Sequence, residues 1–282
     1  MATHHARSNS FPSEPHPLIP QIDEHLCRLK TSEATSSSIC HKLSEFQDWH
    51  DCVDKLLLLP PTQQAFIQVY RRKWFDQLLD GSLRLLDVCS IAKDALLEMK
   101  AGVHELQSTM RRRQGGETRL AREVGKYFTT RKVVIKAVQN ALKGMESNSI
   151  DKNHETQAII STLRAVETVN SAVLESMLTF IAGKRLQSNL SNWSFVSKLV
   201  HPKRVASKGE EKNVNELEKV EATLQSLIGH KKSKSDCLMN VESVQNWLGK
   251  LESSIQDLEE GIENHFRCLL KTRVSLLNII NC

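Results

Sequence analysis

Residues 85–110 carry apolar side chains at alternating spacings of four and three residues. The set is Leu85, Cys89, Ala92, Leu96, Met99, Val103, Leu106 and Met110. A mean period of 3.5 residues places all of them on one stripe of an α-helix, and such a stripe needs other helices to cover it. The segment therefore predicts a long helix packed inside a helical bundle.

The same period returns in three later segments. They contain Val124, Tyr127, Val134, Val138 and Ala141; then Leu163, Val166, Asn170, Val173 and Met177; and finally Val244, Leu248, Leu251, Ile255, Leu258 and Ile262. A helix of ~40 residues is ~60 Å long. We predict an all-α fold, an elongated antiparallel bundle of long heptad-patterned helices, in which Arg131 and Asn170 interrupt the apolar stripes. A buried Asn either sets helix register and pairing or binds water.

Helix boundaries follow from turn residues. Shorter helices are predicted at 22–30 and 39–53. Pro60 and Pro61 end the second of these, and Thr62 caps the next helix. Residues 1–20 are rich in Ser, His and Pro and predict a disordered tail, and residues 21–282 predict one domain with a basic connection near 183–212.

The N-terminal segment and the cysteines indicate the compartment. Seven scattered cysteines without a CxxC pair predict free, buried thiols in a reducing environment. The polar N-terminal residues do not resemble a secretory signal, and no apolar run reaches the ~20 residues that span a bilayer. We expect an intracellular, cytoplasmic protein, with peripheral membrane association as an alternative.

The sequence does not carry a recognisable catalytic motif. It lacks a phosphate-binding loop, a GxSxG elbow, an HExxH pair and an EF-hand loop. Cys40, His41, Asp48, His50 and Cys52 are metal-capable, but His41 and His50 are too far apart on a helix to chelate together, so we interpret the group as surface polar residues. We predict a non-enzymatic protein without catalytic residues, cofactors or bound metal.

The N-terminal tail contains a phosphorylation motif. Arg7, Ser8, Ser10 and Pro12 match the RSxSxP pattern that 14-3-3 proteins bind when the second serine is phosphorylated. Arg7 suits basophilic kinases, and a phosphate on Ser10 would supply the charge that an arginine cluster holds. The alternative is an unmodified, solvated tail.

A first basic zone lies at residues 101–136, which contain nine basic and three acidic residues, a net charge of +6. The candidate patch within it is Arg111, Arg112, Arg113, Arg119, Arg122 and Lys126. It is interpreted as a solvated face and helix terminus or as a contact for anionic lipid or an acidic protein. Nucleic acid is disfavoured, because only Tyr127 and Phe128 are available for stacking.

A second candidate segment mixes large apolar and basic side chains: Trp193, Phe195, Lys198, Lys203 and Arg204. Such a segment lies in a membrane interface or docks its rings on the bundle. The heptads do not determine the oligomeric state, since stripes close within one chain or between chains.

Four stretches carry a family resemblance: ARSNSFPSEPHP, SSICHKLSEFQDWHDCVDKLLLLP, the region from LLDGSLRLLDVC to STMRRR, and LESSIQDLEEGIENHFRCLLKTRVSLLNIIN. The sequence resembles a land-plant family of unknown function that is grouped with the BYPASS proteins, from about Ala6 to Asn281 and closest to its uncharacterised branch. The resemblance implies an all-helical plant protein, an association with root and shoot development, and no catalytic residues. We expect a regulatory or scaffold protein that binds protein partners.

Overall fold

The computed structural model of the protein describes residues 18–31, 36–69, 73–112, 116–146, 158–183, 216–229 and 234–281. These ranges are α-helical and contain no strand, which confirms the predicted all-α fold. The described helices are α1 (Leu18–Thr31), α2 (Ser36–Leu57), α3 (Pro60–Val69), α4 (Lys73–Arg111), α5 (Gly116–Glu146), α6 (Ala158–Ala182), α7 (Glu216–Gly229) and α8 (Lys234–Asn281). None of them is long and apolar enough to cross a bilayer.

Helix α4 is the centre of the bundle. Its eight stripe residues are at most 6% exposed, as the 3.5-residue period predicts. The helix packs against α5 and α8 on its two sides and also contacts α6. Most buried apolar side chains of these helices belong to one continuous hydrophobic core.

Polar contacts show that α4 and α8 run in opposite directions. Lys93 bonds to Glu263, Lys100 lies 2.5 Å from Glu259, and Gln107 donates to Glu252 at 2.8 Å. Residue numbers rise along α4 while they fall along α8. Pairs of this kind are partly exposed and screened by solvent, so they set register more than stability.

Helix α5 runs antiparallel to both α4 and α6. An added Cβ on Gly102 of α4 would meet Tyr127 at 3.2 Å, and Arg131 reaches the last turn of α6 at Ala182. At the other end of α5, Met145 shares a groove with Leu85 of α4 and Glu167 of α6. Helices α4, α5, α6 and α8 therefore alternate in direction, in agreement with the predicted antiparallel bundle. With 48 residues, α8 is ~72 Å long, which makes the bundle elongated.

Two shorter helices lie along α8. Helix α2 contacts α8 and α6 and runs parallel to α8, since Leu43 meets Gly261 and His50 meets Thr272. Gly261 allows this close approach, because an added Cβ would clash with the Leu43 side chain. Helix α7 packs on α8 nearer the N-terminal end of α8, where Lys219 lies 4.8 Å above the Trp247 ring.

The boundaries differ from the sequence predictions in detail. Helix α3 begins at Pro60, so the prolines start this helix and Thr62 lies in its first turn instead of capping it. Helix α1 begins at Leu18, slightly before the expected domain boundary at residue 21. Residues 1–17 and 184–215, which contain most of the predicted tail at 1–20 and of the predicted basic connection near 183–212, lie outside the described residues, and residues 18–20 of the predicted tail are helical.

Candidate functional site

The outer side of α5 is a continuous basic face. Its exposed cations, which we call the α5 basic face, are Arg119, Arg122, Lys126, Lys132, Lys136 and Lys143. Among the described side chains of α5, the acid Glu123 is 8% exposed and pairs with Lys126 at 2.9 Å. The described surface of this helix therefore presents positive charge without exposed negative charge.

The helical period explains this face. Val124, Tyr127, Val134 and Val138 point into the core, so the cations, which are spaced three to seven residues apart, point outward. From residue 119 to 143 the axial length is ~36 Å at 1.5 Å per residue. Exposed cations distributed over this length can contact several anionic groups at once.

The predicted basic patch agrees with this face in part. Arg111, Arg112, Arg119, Arg122 and Lys126 are exposed, and Arg113 lies outside the described residues. The face extends beyond the predicted patch to Lys143. Arg131, which the sequence analysis counted within the basic zone, is 2% exposed and does not belong to it.

Arg131 instead joins three helices inside the bundle. Its Nε donates to Glu221 of α7 at 2.7 Å, and its Nη2 donates to the Ala182 carbonyl at the end of α6 at 2.9 Å. Gly183, with φ at 69°, ends α6 beside this guanidinium. Burial raises the pKa of the neighbouring Tyr127 hydroxyl, against the opposing effect of Arg131. The cluster positions α7 on α5 and α6.

A second buried polar cluster joins α2, α6 and α8 around His50. The His50 Nε2 lies 3.0 Å from Asn170 Oδ1, and Nδ1 lies 3.3 Å from Thr272 Oγ1. Thr272 Oγ1 donates to Asp54 at 3.2 Å, and Asp54 also bonds to Lys271 at 2.9 Å. Burial lowers the pKa of His50, while the bond to Asn170 and the charge of Asp54 act in the opposite direction.

The contacts of Asn170 in this cluster distinguish between its two predicted roles, setting helix register or binding water. Its amide nitrogen donates to the Val166 carbonyl at 2.7 Å, so its oxygen faces His50. Asn170 therefore pairs with a specific residue of α2, which favours the register role over simple hydration. His50 is fully buried, so its interpretation as a surface polar residue is wrong.

The His50, Thr272 and Asp54 arrangement superficially resembles a catalytic relay. All three side chains are at most 7% exposed, so the hydroxyl is closed to a substrate. No group of three metal-ligating side chains occurs within the described ranges, and the described members of the metal-capable set, Asp48, His50 and Cys52, do not form one.

Cys89 is a buried free thiol as predicted, with a pKa raised by burial to about 12, whereas Cys27 is exposed.

A groove between α4, α5 and α6 holds a further titratable group that sequence reasoning missed. Glu167 lies against Gly81, and burial raises its pKa to about 7 despite the charges of Arg84 and Arg164. Glu167 falls on an α6 position next to the apolar stripe, which is the signal that could have indicated its burial. The groove, of about 320 Å³, also includes Leu85 and Met145.

Two predicted sites cannot be placed in the described structure. The phosphorylation motif of Arg7, Ser8, Ser10 and Pro12 lies outside the described residues, as does the segment of Trp193, Phe195, Lys198, Lys203 and Arg204.

The family comparison identifies the class of protein. Residues 42–279 match the family described as Protein BPS1. The match covers most of the chain, so this protein belongs to the BPS1 family of BYPASS-like plant proteins, and the predicted resemblance is confirmed. Membership supports a plant regulatory protein in development. No curated protein and no solved structure gives a significant match.

Proposed function

We propose that this protein is a non-enzymatic regulatory scaffold of plant cells that binds partners through its helical faces and its phosphorylated tail. The observation that supports this proposal is the placement of its chemically capable side chains. Arg131, His50, Asp54 and Thr272 form contacts between helices inside the bundle, at most 7% exposed. Their polar groups hold the helices together, and the exposed helical faces are left for binding.

The tail supplies the regulated contact in this proposal. We propose that phosphorylation of Ser10 recruits a 14-3-3 protein, with Arg7 directing the kinase. The family supports a regulatory role in development, and we extend this role to root and shoot development. The proposed compartment is the cytoplasm, where a free buried thiol such as Cys89 stays reduced.

We expect Ser10→Ala to abolish capture of the kinase-treated protein by immobilised 14-3-3, because the phosphate that its arginine cluster binds is lost. Ser13→Ala is the matched control, since it removes a serine from the same tail outside the RSxSxP motif and should retain capture. Equal capture of Ser10→Ala and the unchanged protein would contradict recruitment through Ser10.

The α5 basic face favours a second candidate function, peripheral binding to an anionic membrane. Six exposed cations along ~36 Å of helix present a surface that a bilayer containing phosphatidylserine can contact. Val133, 65% exposed, lies among them and can enter the lipid headgroup region.

We expect the triple variant Arg119→Gln, Arg122→Gln, Lys136→Gln to lower partitioning onto anionic vesicles more than 100-fold at low salt, at ~1 kcal/mol for each cation. The matched control is Arg28→Gln, Lys250→Gln, Arg267→Gln, which removes the same charge from α1 and α8. Flotation of both variants to the same extent would contradict a specific role for α5. If the unchanged protein binds neither neutral nor anionic vesicles, the proposed membrane binding is contradicted.

A further inference from the structure

Helix α2 docks on the bundle through two buried histidines. His265 of α8 is 1% exposed and stacks on Phe46 of α2, with ring centroids 4.2 Å apart and an interplanar angle of 4°. The same Phe46 ring meets the edge of His50 at 4.5 Å, and Trp49 packs against His50 at 5.2 Å. The aromatic contact between α2 and α8 therefore contains two titratable rings.

The two histidines differ in their hydrogen bonds. His50 has Asn170 on one ring nitrogen and Thr272 on the other, and Thr272 continues to Asp54. A proton added to His50 at Nδ1 could thus be shared toward a carboxylate. Neither ring nitrogen of His265 has a hydrogen-bond partner among the described residues, so a proton there would create a buried charge without an acceptor.

The groups around the pair do not compensate such a charge. Helix α2 contributes Asp51 and Asp54, which form ion pairs with Lys271 of α8, and α6 contributes the neutral Asn170. On α8 itself, Glu263 pairs with Lys93 of α4, and Cys268 is a free thiol with a raised pKa. Burial and the neighbouring His50 both act to lower the pKa of His265 well below its ordinary value of 6.5.

We propose that His265 is the proton sensor of a latch, and that its protonation in mildly acidic conditions releases α2 from α8. The physical reason is that α2 covers the ring, so the ring reaches water when Phe46 moves away. Release would uncover the α2-binding side of α8 together with Asn170 on α6, which are faces that the closed bundle keeps from partners. The latch goes beyond the proposed function, since it would operate with or without tail phosphorylation.

The direction of the pH effect on α2 opening follows from the difference in the pKa of His265 between the closed and open states. A histidine that is kept neutral when buried and has a pKa near 6.5 when exposed favours the open state as pH falls below 6.5. Between pH 7.5 and 5.5, one such group raises the opening equilibrium about tenfold. The stabilising effect is fully present above 6.5 and is lost progressively in more acidic solution.

The test is hydrogen exchange of the full chain at pH 7.5 and 5.5, followed by mass spectrometry and corrected for intrinsic exchange rates. We expect opening of α2 to increase at least tenfold at pH 5.5, while α4 and α5 change little. His265→Phe retains an aromatic ring that can stack on Phe46, and should reduce this pH dependence about tenfold. His104→Gln, at an exposed histidine, is the matched control and should behave like the unchanged protein.

Three results would overturn the latch. The first is exchange of α2 that is independent of pH in the unchanged protein, a measurement that does not require any variant to fold. The second is an equal increase in α4 and α5, which would assign the proton to global unfolding. The third is a pH dependence that His265→Phe leaves intact, which would place the sensor elsewhere.

Discussion

We expect Arg131→Met to lower the free energy of unfolding by about 3–5 kcal/mol, the range for breaking one partner of a buried ion pair. The substitution leaves Glu221 and the Ala182 carbonyl without their guanidinium donors, although Met fills much of the same volume. Urea denaturation at neutral pH measures the change. The loss should be accompanied by faster hydrogen exchange in α7, because Arg131 connects this helix to α5 and α6.

A double-mutant cycle separates the charge effect from packing. Glu221→Gln combined with Arg131→Met should cost less than the sum of the two single changes, since the isolated carboxylate is no longer present. Arg122→Met on the exposed side of the same helix is the matched control and should change stability by less than about 0.5 kcal/mol. A loss below 1 kcal/mol for Arg131→Met would mean that its guanidinium is solvated, in conflict with the structure.

We expect Leu96→Ala to lower the free energy of unfolding by about 2–5 kcal/mol, because removing a fully buried leucine leaves a cavity in the core. The neighbouring Leu97 is 62% exposed, so Leu97→Ala should change stability by less than about 0.5 kcal/mol. Both changes remove the same atoms from adjacent residues of α4. Thermal and urea unfolding of the two variants therefore test the orientation of the helix directly.

Two other outcomes of the Leu96→Ala and Leu97→Ala pair would contradict the expected orientation of α4. Similar effects of the two substitutions would mean that α4 does not present the 85–110 stripe to the core. A larger effect of Leu97→Ala would indicate that its exposed side contacts a second chain or a partner under the conditions of the experiment.

The periodic features of this protein could be read from its sequence. The stripe from Leu85 to Met110 predicted both the existence of α4 and its buried side, because burial along a regular helix follows a fixed period. The exposed positions of Arg119, Arg122 and Lys126 follow from the same period applied to α5. The family could also be identified from the sequence, since membership depends on the residues and the order of whole segments.

Only the tertiary structure decided which polar residues meet. Arg131 and Glu221 are 90 residues apart, and His50 and Asn170 are 120 apart. The sequence marked Arg131 and Asn170 as interruptions of the apolar stripes, but it did not identify their partners, and Arg131 also counted toward the net charge of the basic zone. The parallel course of α2 along α8 and the stacking of Phe46 on His265 were likewise not predicted. A heptad pattern specifies which side of a helix is buried because that depends on local geometry, whereas the identity and direction of the covering helix depend on packing among distant segments.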